Sequence, residues 1–353
     1  MTVFDPGRVR ELVASTIGSN AVRAPLDASD RVDGLLPHAV ARPECAAEVA
    51  ELLAMAARER LAVIPTAGGT KRTLGRPPER ADLLLDLGKL RGITDWSPRD
   101  QVLICGPATA LADTEAAVTA DGQTLVGDWP IVDGGSLGGS TATRSDAFDR
   151  PRPSGPRWAV IGMKVAHPDG SITNHGARVA KNVAGLDIGK LHIGALGTLG
   201  VIVELTVRTR CAAAVEPARA EGEPLCDARI EIRVPPGALG AVLHEASDAM
   251  AGSNARLDVR ASASTGVARI AMIGAEGADR TVLPEVLAML LDRTRGAATE
   301  AGGCVLVLAA PSEWKRALDV WGEPPRSIAW MRKLKDLYDP ERVLNPGRFV
   351  GGI

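Results

Sequence analysis

Three short glycine clusters restrict the fold of this chain more than any other feature of its sequence. They are TAGGT (66–70), GGSLGGS (134–140) and GALGTLG (194–200), and each adjoins a stretch of apolar residues. Glycine has no Cβ, so its backbone can make tight turns and approach a ligand closely. We therefore expect a fold in which short regular elements alternate with loops that lie against a ligand.

The elements around the first cluster alternate in type. Residues 46–60 place Val49, Leu52 and Leu53 at helical spacing, which predicts an amphipathic helix. A strand is predicted at 61–65, and the bounded apolar runs 83–87 and 101–106 predict two more. With a further helix over 109–121, this part of the chain follows an α+β pattern.

The next predicted unit is a β-hairpin. Residues 157–167 and 171–176 flank Pro168-Asp169-Gly170, and Asp and Gly supply turn geometry. The β-branched residues of 201–209 predict another strand. Near residue 213 the composition changes to Ala, Glu and Pro, which indicates a linker.

The region after the linker has the predicted order β-α-β-β-α-β, the split βαβ arrangement of a ferredoxin-like domain. Its period-2 strands predict one sheet face packed on helices and one free face that covers a ligand of the first lobe. A tail helix ends before Pro340, followed by an Asn345-Pro346-Gly347 loop. The predicted elements of the second region are 229–234, 238–250, 255–261, 267–273, 278–300 and 304–309.

Composition excludes several classes of protein. A chain of 353 residues predicts two lobes, and a net charge of -2 without a basic face argues against nucleic acid as a partner. No apolar run is long enough for a transmembrane segment, so we expect a cytoplasmic protein, at most peripheral to the inner face of a membrane. The five cysteines show no CxxC spacing, which predicts reduced, mostly buried thiols without zinc or an iron–sulfur cluster.

The glycine loops suit a dinucleotide, because convergent backbone N–H groups satisfy a pyrophosphate. Residues 66–71 follow a strand directly, yet their spacing fits neither the GxGxxG fingerprint nor the P-loop. Nicotinamide binding of the Rossmann type and ATP hydrolysis therefore lose support. A single AGGT turn is more often a structural turn than a ligand-binding loop. The inference of a dinucleotide site therefore depends on the presence of three such loops.

Six strings occur here in an order that resembles the FAD-binding family of vanillyl-alcohol oxidase and the D-lactate and glycolate dehydrogenases, with an FAD domain of the PCMH type. Within that family the likeness is greatest to the FAD-binding subunit of glycolate oxidase, and it covers about 35–210 and 327–349. The strings are TKRTLGRP (70–77), SLGG (136–139), GPRWAVIGMKV (155–165), KNVAGLD (181–187), LGTLGVIVE (196–204) and YDPERVLNPGR (338–348).

The resemblance implies a two-lobed α+β fold, a PCMH-type FAD-binding domain with a ferredoxin-like βαββαβ cap. The implied divisions are an N-terminal segment (1–33), the FAD domain (34–213), the cap (214–326) and a tail that returns to the FAD site (327–353). Residues 67–71 would hold the pyrophosphate, 133–139 would run along the flavin and 200–203 would meet the adenosine end. The expected FAD-binding residues are Ala67, Gly68, Gly69, Thr70, Lys71, Asp133, Gly135, Ser136, Gly138, Gly139, Lys181, Asn182, Gly200, Val201, Ile202, Asn345 and Gly347.

Departures from the family pattern put the reaction in question rather than the flavin. Leu186 stands where the family's KNVAGY motif has tyrosine, and Arg157-Trp158 replaces an arginine–aspartate pair. Covalent attachment uses a histidine or cysteine beside the flavin, and the loops 66–76 and 126–144 contain neither. We therefore expect FAD to be held noncovalently.

Oxidation of a 2-hydroxy acid needs a base, a cation for the carboxylate and a hydride acceptor. Arg152, Arg157 and Arg348 are candidates for the cation, with a solvated loop as an equally good interpretation of the first two. His167, at the hairpin turn, is expected to be solvated. His175 and His192 are more often structural in such contexts, and the cap has only His244, so no catalytic metal is expected.

Two functions follow from the resemblance. The first is an FAD-dependent dehydrogenase or oxidase subunit that oxidises glycolate or D-lactate and passes electrons to partners, a second flavoprotein and an iron–sulfur subunit. The second is an accessory flavoprotein subunit for electron relay or assembly. It is favoured by Leu186, by the short cap and by the cap's lack of the histidine cluster that related metal-using dehydrogenases have there. A cofactor-free scaffold or sugar-binding module would explain the glycine loops only as packing turns.

Overall fold

The computed structural model describes residues 5–26, 29–127, 129–130, 134–144, 155–179, 186–212, 226–275 and 282–353. Within these ranges, helix α1 (Pro6–Ile17) packs on helix α2 (Ala46–Glu59). Their neighbour is a sheet of β1 (Val22–Arg23), β2 (Ala39–Ala41), β3 (Val63–Thr66) and β4 (Leu83–Asp86) in the order β1-β2-β4-β3. Strands β2, β3 and β4 are parallel, and β1 is antiparallel to β2.

The predicted amphipathic helix is confirmed as α2. Its residues Val49, Leu52 and Leu53 are fully buried, as the helical spacing predicts. The same apolar cluster includes Val201 and Leu344, which come from distant parts of the chain. The first sheet, the second sheet and the tail thus share one core.

The second sheet is antiparallel, with the order β5-β6-β10-β8-β9. Its strands are β5 (Ile93–Ser97), β6 (Val102–Cys105), β8 (Val160–Ala166), β9 (Ile172–Gly176) and β10 (Val201–Cys211), and β7 (Gln123–Leu125) pairs with the end of β10. The helices of this region are α3 (Leu111–Thr119), α4 (Leu137–Thr143) and α5 (Pro156–Ala159).

Two sequence predictions in this region need correction. Strand β8 begins at Val160 rather than at 157, because Gly155 and Pro156 start the short helix α5. The second glycine cluster is also not all loop: Ser136 caps helix α4, whose small residues let it lie close to Pro107.

The cap is confirmed as a ferredoxin-like βαββαβ unit. Its elements are β11 (Ala228–Arg233), α6 (Leu239–Ala249), β12 (Ala255–Ser262), β13 (Val267–Gly274), α7 (Leu283–Glu300) and β14 (Cys304–Ala309). The sheet order β12-β13-β11-β14 is antiparallel throughout. The core between this sheet and its two helices includes Ile230 and Leu287.

On the second face of the cap sheet, two partly exposed arginines cover one buried carboxylate. Glu231 on that face is only 2% exposed and lies between Arg233 and Arg269. The described residues of this sheet also contribute nothing to the walls of the glycine-lined cavity. A period-2 pattern gives the sidedness of a strand, whereas the partners of each face depend on the rest of the fold.

The chain ends with α8 (Ser312–Ala317), α9 (Ile328–Tyr338) and a tail in which Leu344 forms a parallel bridge with Val63 of β3. Of the five cysteines only Cys105 is buried, so the expectation of mostly buried thiols was wrong. Three of the others occur at the ends of regular elements, where a small side chain need not enter the core. None of the described helices is both long and apolar enough to cross a membrane.

Candidate functional site

The three glycine clusters and the tail converge on one cavity, which we call the glycine-lined cavity. It encloses about 840 Å³ of space, part of which is open to solvent. Strand ends and helix ends supply its walls, so the scaffold fixes backbone atoms around it. The described lining residues are 65–72, 74, 87, 107, 136, 138–139, 142–143, 192, 196–197, 200–202, 345 and 348.

Gly68 brings the first two glycine clusters into contact. A Cβ at this position would lie 1.9 Å from the carbonyl oxygen of Gly134, so only glycine allows the approach. The backbone N–H of Gly68 donates to Oγ of Ser136 at 3.4 Å. In the described part of the chain, the N–H groups of Gly69 and Thr70 have no protein acceptor. These donors are what an anionic group such as a pyrophosphate requires.

The opposite wall contains two residues with unusual backbone conformations. Leu196 has φ +53° and Asn345 has φ +45°, the left-handed region that side chains other than glycine rarely adopt. The side-chain amide of Asn345 donates to the carbonyl oxygen of Leu196 at 2.7 Å. Because such strain occurs most often at functional sites, this pairing supports a ligand-binding role for the wall.

Arg348 lies at the end of the cavity and is only 5% exposed. Its Nε donates to the carbonyl oxygen of Leu74 at 2.9 Å, and its Nη2 donates to that of Arg72. Burial lowers the pKa of this guanidinium to about 10. Through these hydrogen bonds the guanidinium of Arg348 keeps the 72–74 loop in place.

Two buried lysines, which the sequence analysis missed, fix the same loops. Lys315 Nζ donates to the carbonyl oxygen of Thr73 at 2.6 Å and pairs with Asp33. Lys335 Nζ donates to the carbonyl oxygen of Thr198 at 2.9 Å and to Asp339 at 2.7 Å. Burial lowers the pKa of both ammonium groups. The only signal in the sequence was the i, i+4 spacing of Lys335 and Asp339.

Three buried or half-buried histidines also meet beside the cavity. His167 was expected to be solvated, yet it is 4% exposed because it lies against Gly200 and stacks on Tyr338. His192 is 2% exposed and lines the cavity. His175 of β9 completes the group. No sequence spacing indicated this convergence, because β8, β9 and the loop before β10 meet only in the folded chain.

The predicted site residues fall into three groups. Gly135, Gly347 and Arg157 lie outside the described walls: the Gly135 carbonyl accepts from Leu111, Gly347 lies against Glu79, and Arg157 is exposed. Asp133, Arg152, Lys181 and Asn182 are outside the described residues. In the walls are Ala67, Gly68, Gly69, Thr70, Lys71, Ser136, Gly138, Gly139, Gly200, Val201, Ile202, Asn345 and Arg348.

Comparisons with known proteins address the class of ligand. Residues 37–176 match the family described as FAD binding domain. Over 172 residues the chain is 30% identical to D-2-hydroxyglutarate dehydrogenase of Xanthomonas citri pv. viticola, covering 49% of this chain and 36% of that protein. It is 27% identical over 173 residues to glycolate oxidase subunit GlcD of Bacillus subtilis, covering 49% and 37%. The matches thus span less than two fifths of either relative.

Among solved structures, p-cresol methylhydroxylase with bound substrate aligns with a TM-score of 0.52. The alignment covers 96% of this chain and 73% of that one at 11% identity, so it is evidence for the fold alone.

The family match over residues 37–176 and the FAD-linked relatives identify FAD as the cofactor. The resemblance stated from six sequence strings is thereby confirmed. Its curated relatives include the glycolate oxidase and D-2-hydroxyglutarate dehydrogenase proteins. The close approach at Gly68 and the N–H groups of Gly69 and Thr70, which have no acceptor among the described residues, fit a dinucleotide of this kind.

Proposed function

We propose that this chain is the FAD-binding subunit of a glycolate oxidase type enzyme, which oxidises glycolate or D-lactate and passes electrons to a partner. One observation carries the proposal: three glycine clusters between residues 66 and 200 and a tail loop line a single cavity in a chain that matches an FAD-binding domain. The names of the curated relatives, which act on 2-hydroxy acids, supply the substrate class.

The loops around Gly68, Gly138 and Gly200 would hold the cofactor through backbone groups. When bound, FAD supplies the acceptor for the substrate's hydride. The N–H groups of Gly69 and Thr70 would bind the pyrophosphate, and Asn345 would keep the 196–200 loop in place. The tail therefore positions the cofactor site from the far end of the sequence.

We propose that the cofactor is bound noncovalently. Among the described residues of the walls, His192 is the single histidine, and there is no cysteine. Acid precipitation of the purified holoprotein tests this: a noncovalent flavin appears in the supernatant, and a covalent one stays with the pellet.

A second candidate, an accessory subunit without catalysis of its own, is favoured by the state of the polar groups in the walls. Burial lowers the pKa of His192 to about 3, far from the value near the working pH that suits a general base. Arg348 donates to backbone carbonyls, and Arg157 lies outside the walls. In this case a second flavoprotein and an iron–sulfur subunit would perform or receive the chemistry.

An anaerobic titration distinguishes the two functions. The purified yellow protein is mixed with glycolate, D-lactate or, as a control, the non-oxidisable analogue 2-hydroxyisobutyrate. Bleaching of the flavin by a 2-hydroxy acid alone supports the stand-alone enzyme. Bleaching that appears only after a partner subunit is added supports the accessory function. A colourless protein that takes up no FAD would contradict both.

A further inference from the structure

His167, His175 and His192 form what we call the histidine cluster. Each ring offers a nitrogen, and these three atoms all lie within 4.8 Å of one another. The ring centroid of His192 is 5.8 Å from that of His167 and 5.7 Å from that of His175. The cluster belongs to the FAD-binding lobe and borders the glycine-lined cavity through His192.

The hydrogen bonds around His167 determine which of its nitrogens has a lone pair. Its Nδ1 lies 3.3 Å from the carbonyl oxygen of Leu199, which can only accept, so Nδ1 carries the proton. Nε2 is then unprotonated and accepts from the hydroxyl of Thr173 at 2.7 Å. An imidazole that donates one N–H to a carbonyl and directs the other nitrogen elsewhere has the arrangement of metal-binding histidines.

Thr173 connects the two histidines of the hairpin. Because its hydroxyl proton is given to His167, its oxygen accepts from Nε2 of His175 at 2.8 Å. These two imidazoles thus direct Nε2 atoms toward one small volume beside the hydroxyl. Transfer of the His175 proton from Nε2 to Nδ1, together with a small rotation of this half-buried ring, would exchange this bond for a bond to an ion.

His192 provides an independent observation. Both of its ring nitrogens are buried and have no hydrogen-bond partner in the described structure. A buried polar atom without a partner costs about 1–3 kcal/mol, and native proteins rarely contain two on one ring. Among the described residues nothing bonds to this imidazole, so it is available to a ligand.

Burial also disfavours a positive charge on each of the three rings. Burial lowers the pKa of His167, His175 and His192, and the last falls to about 3. Neutral imidazole is a ligand for a transition metal, and imidazolium is not. The same burial disfavours the cluster as a store of protons near neutral pH.

We propose that the histidine cluster binds one divalent transition-metal ion of the zinc class through three imidazole nitrogens. Zinc–nitrogen bonds of about 2.0–2.1 Å place tetrahedral ligand atoms about 3.4 Å apart, so small ring rotations close the site. Three histidines leave a fourth position for water or for a group in the glycine-lined cavity. The site is independent of the substrate proposed above, since its ligands belong to the protein alone.

Zinc binding to the tag-free holoprotein tests the proposal. After dialysis against zinc and removal of loose metal, elemental analysis should find one ion per chain in the unsubstituted protein. His175→Gln and His192→Gln should each weaken binding at least tenfold. His244→Gln is the matched control, because this exposed cap histidine lies outside the cluster and should leave binding unchanged. Flavin content and the thermal unfolding midpoint establish that each variant is folded.

If a variant does not fold, X-ray absorption spectroscopy of the unsubstituted zinc-bound protein still tests the proposal. Three imidazoles in the first shell support the site. Sulfur in that shell, fewer than three imidazoles, or no zinc retained above the level of His192→Gln overturns it.

Discussion

The FAD-binding lobe and the cap bury polar groups in different ways. In the cap, Glu231 lies on a regular strand between Arg233 and Arg269, and backbone groups are paired in the sheet. In the FAD-binding lobe, buried cations donate to loop carbonyls that no strand can satisfy, as Lys335 does to Thr198. Loops that shape a cofactor site need such external donors, whereas a sheet satisfies its own backbone.

The largest expected effect is loss of the Lys335 ammonium. Lys335→Met removes the partner of the fully buried Asp339 and leaves the Thr198 and Leu344 carbonyls without their donor. We expect a loss of about 3–5 kcal/mol in the free energy of unfolding, measured with urea. Lys333→Met on the exposed side of α9 is the control and should lose less than about 1 kcal/mol, from its contact with Trp330. Equal losses would show that the buried network does not stabilise the lobe.

The matching test in the cap is Glu231→Gln. Burial raises the pKa of Glu231, but Arg233 and Arg269 outweigh it, so the net pKa is below the usual value of 4.5. The carboxylate therefore stabilises the fold above about pH 4.5, and this contribution is lost as the pH falls through the lower, folded-state pKa. Relative to the unsubstituted chain, Glu231→Gln should be destabilised by about 2 kcal/mol at pH 7. A difference in unfolding free energy that does not narrow in acid would contradict this assignment.

Gly68→Ala tests the cofactor lobe with a single methyl group. The new Cβ would meet the Gly134 carbonyl at 1.9 Å, so the two glycine clusters must separate. We expect at least a tenfold loss of FAD affinity, about 1.4 kcal/mol, by fluorescence titration of the apoprotein. Unchanged affinity would place the pyrophosphate elsewhere.

Gly296→Ala adds the same methyl group in the cap, where we expect it to stabilise the protein. Gly296 lies in the middle of helix α7, and its Cβ would meet no atom within 4 Å. Alanine should raise the free energy of unfolding by about 0.5–1 kcal/mol, measured with urea, because it lowers the backbone entropy of the unfolded chain. FAD affinity should not change. A destabilised variant would mean that the glycine has a packing role in the cap.

Regular periodicity made most elements predictable. Val49, Leu52 and Leu53 gave helix α2, and the alternation in 229–234 gave strand β11, because burial on one face depends on local spacing. Helix α1 and helix α4 were not predicted. Helix α1 lies in the N-terminal segment, for which no helix or strand was predicted. Helix α4 consists of small residues, and its helical state depends on packing against Pro107.

The candidate site was only partly predictable. The glycine loops and Asn345 stood out because turn chemistry is local. Gly347 is different: it has φ +76° in the predicted turn, yet it faces Glu79 rather than the cavity. A turn can be recognised from its residues, but the direction in which it faces depends on the elements that pack around it.

By itself, the sequence determined the α+β fold, the ferredoxin-like cap and the glycine loops that line the cavity, because each depends on local spacing or on glycine's missing side chain. Tertiary structure alone decided that Lys315, Lys335 and Arg348 hold those loops and that three histidines from separate segments meet. Their roles depend on burial and on partners far away in the chain, such as Asp33 for Lys315. Burial turns an ordinary surface cation into a fixed donor, and no local pattern encodes it.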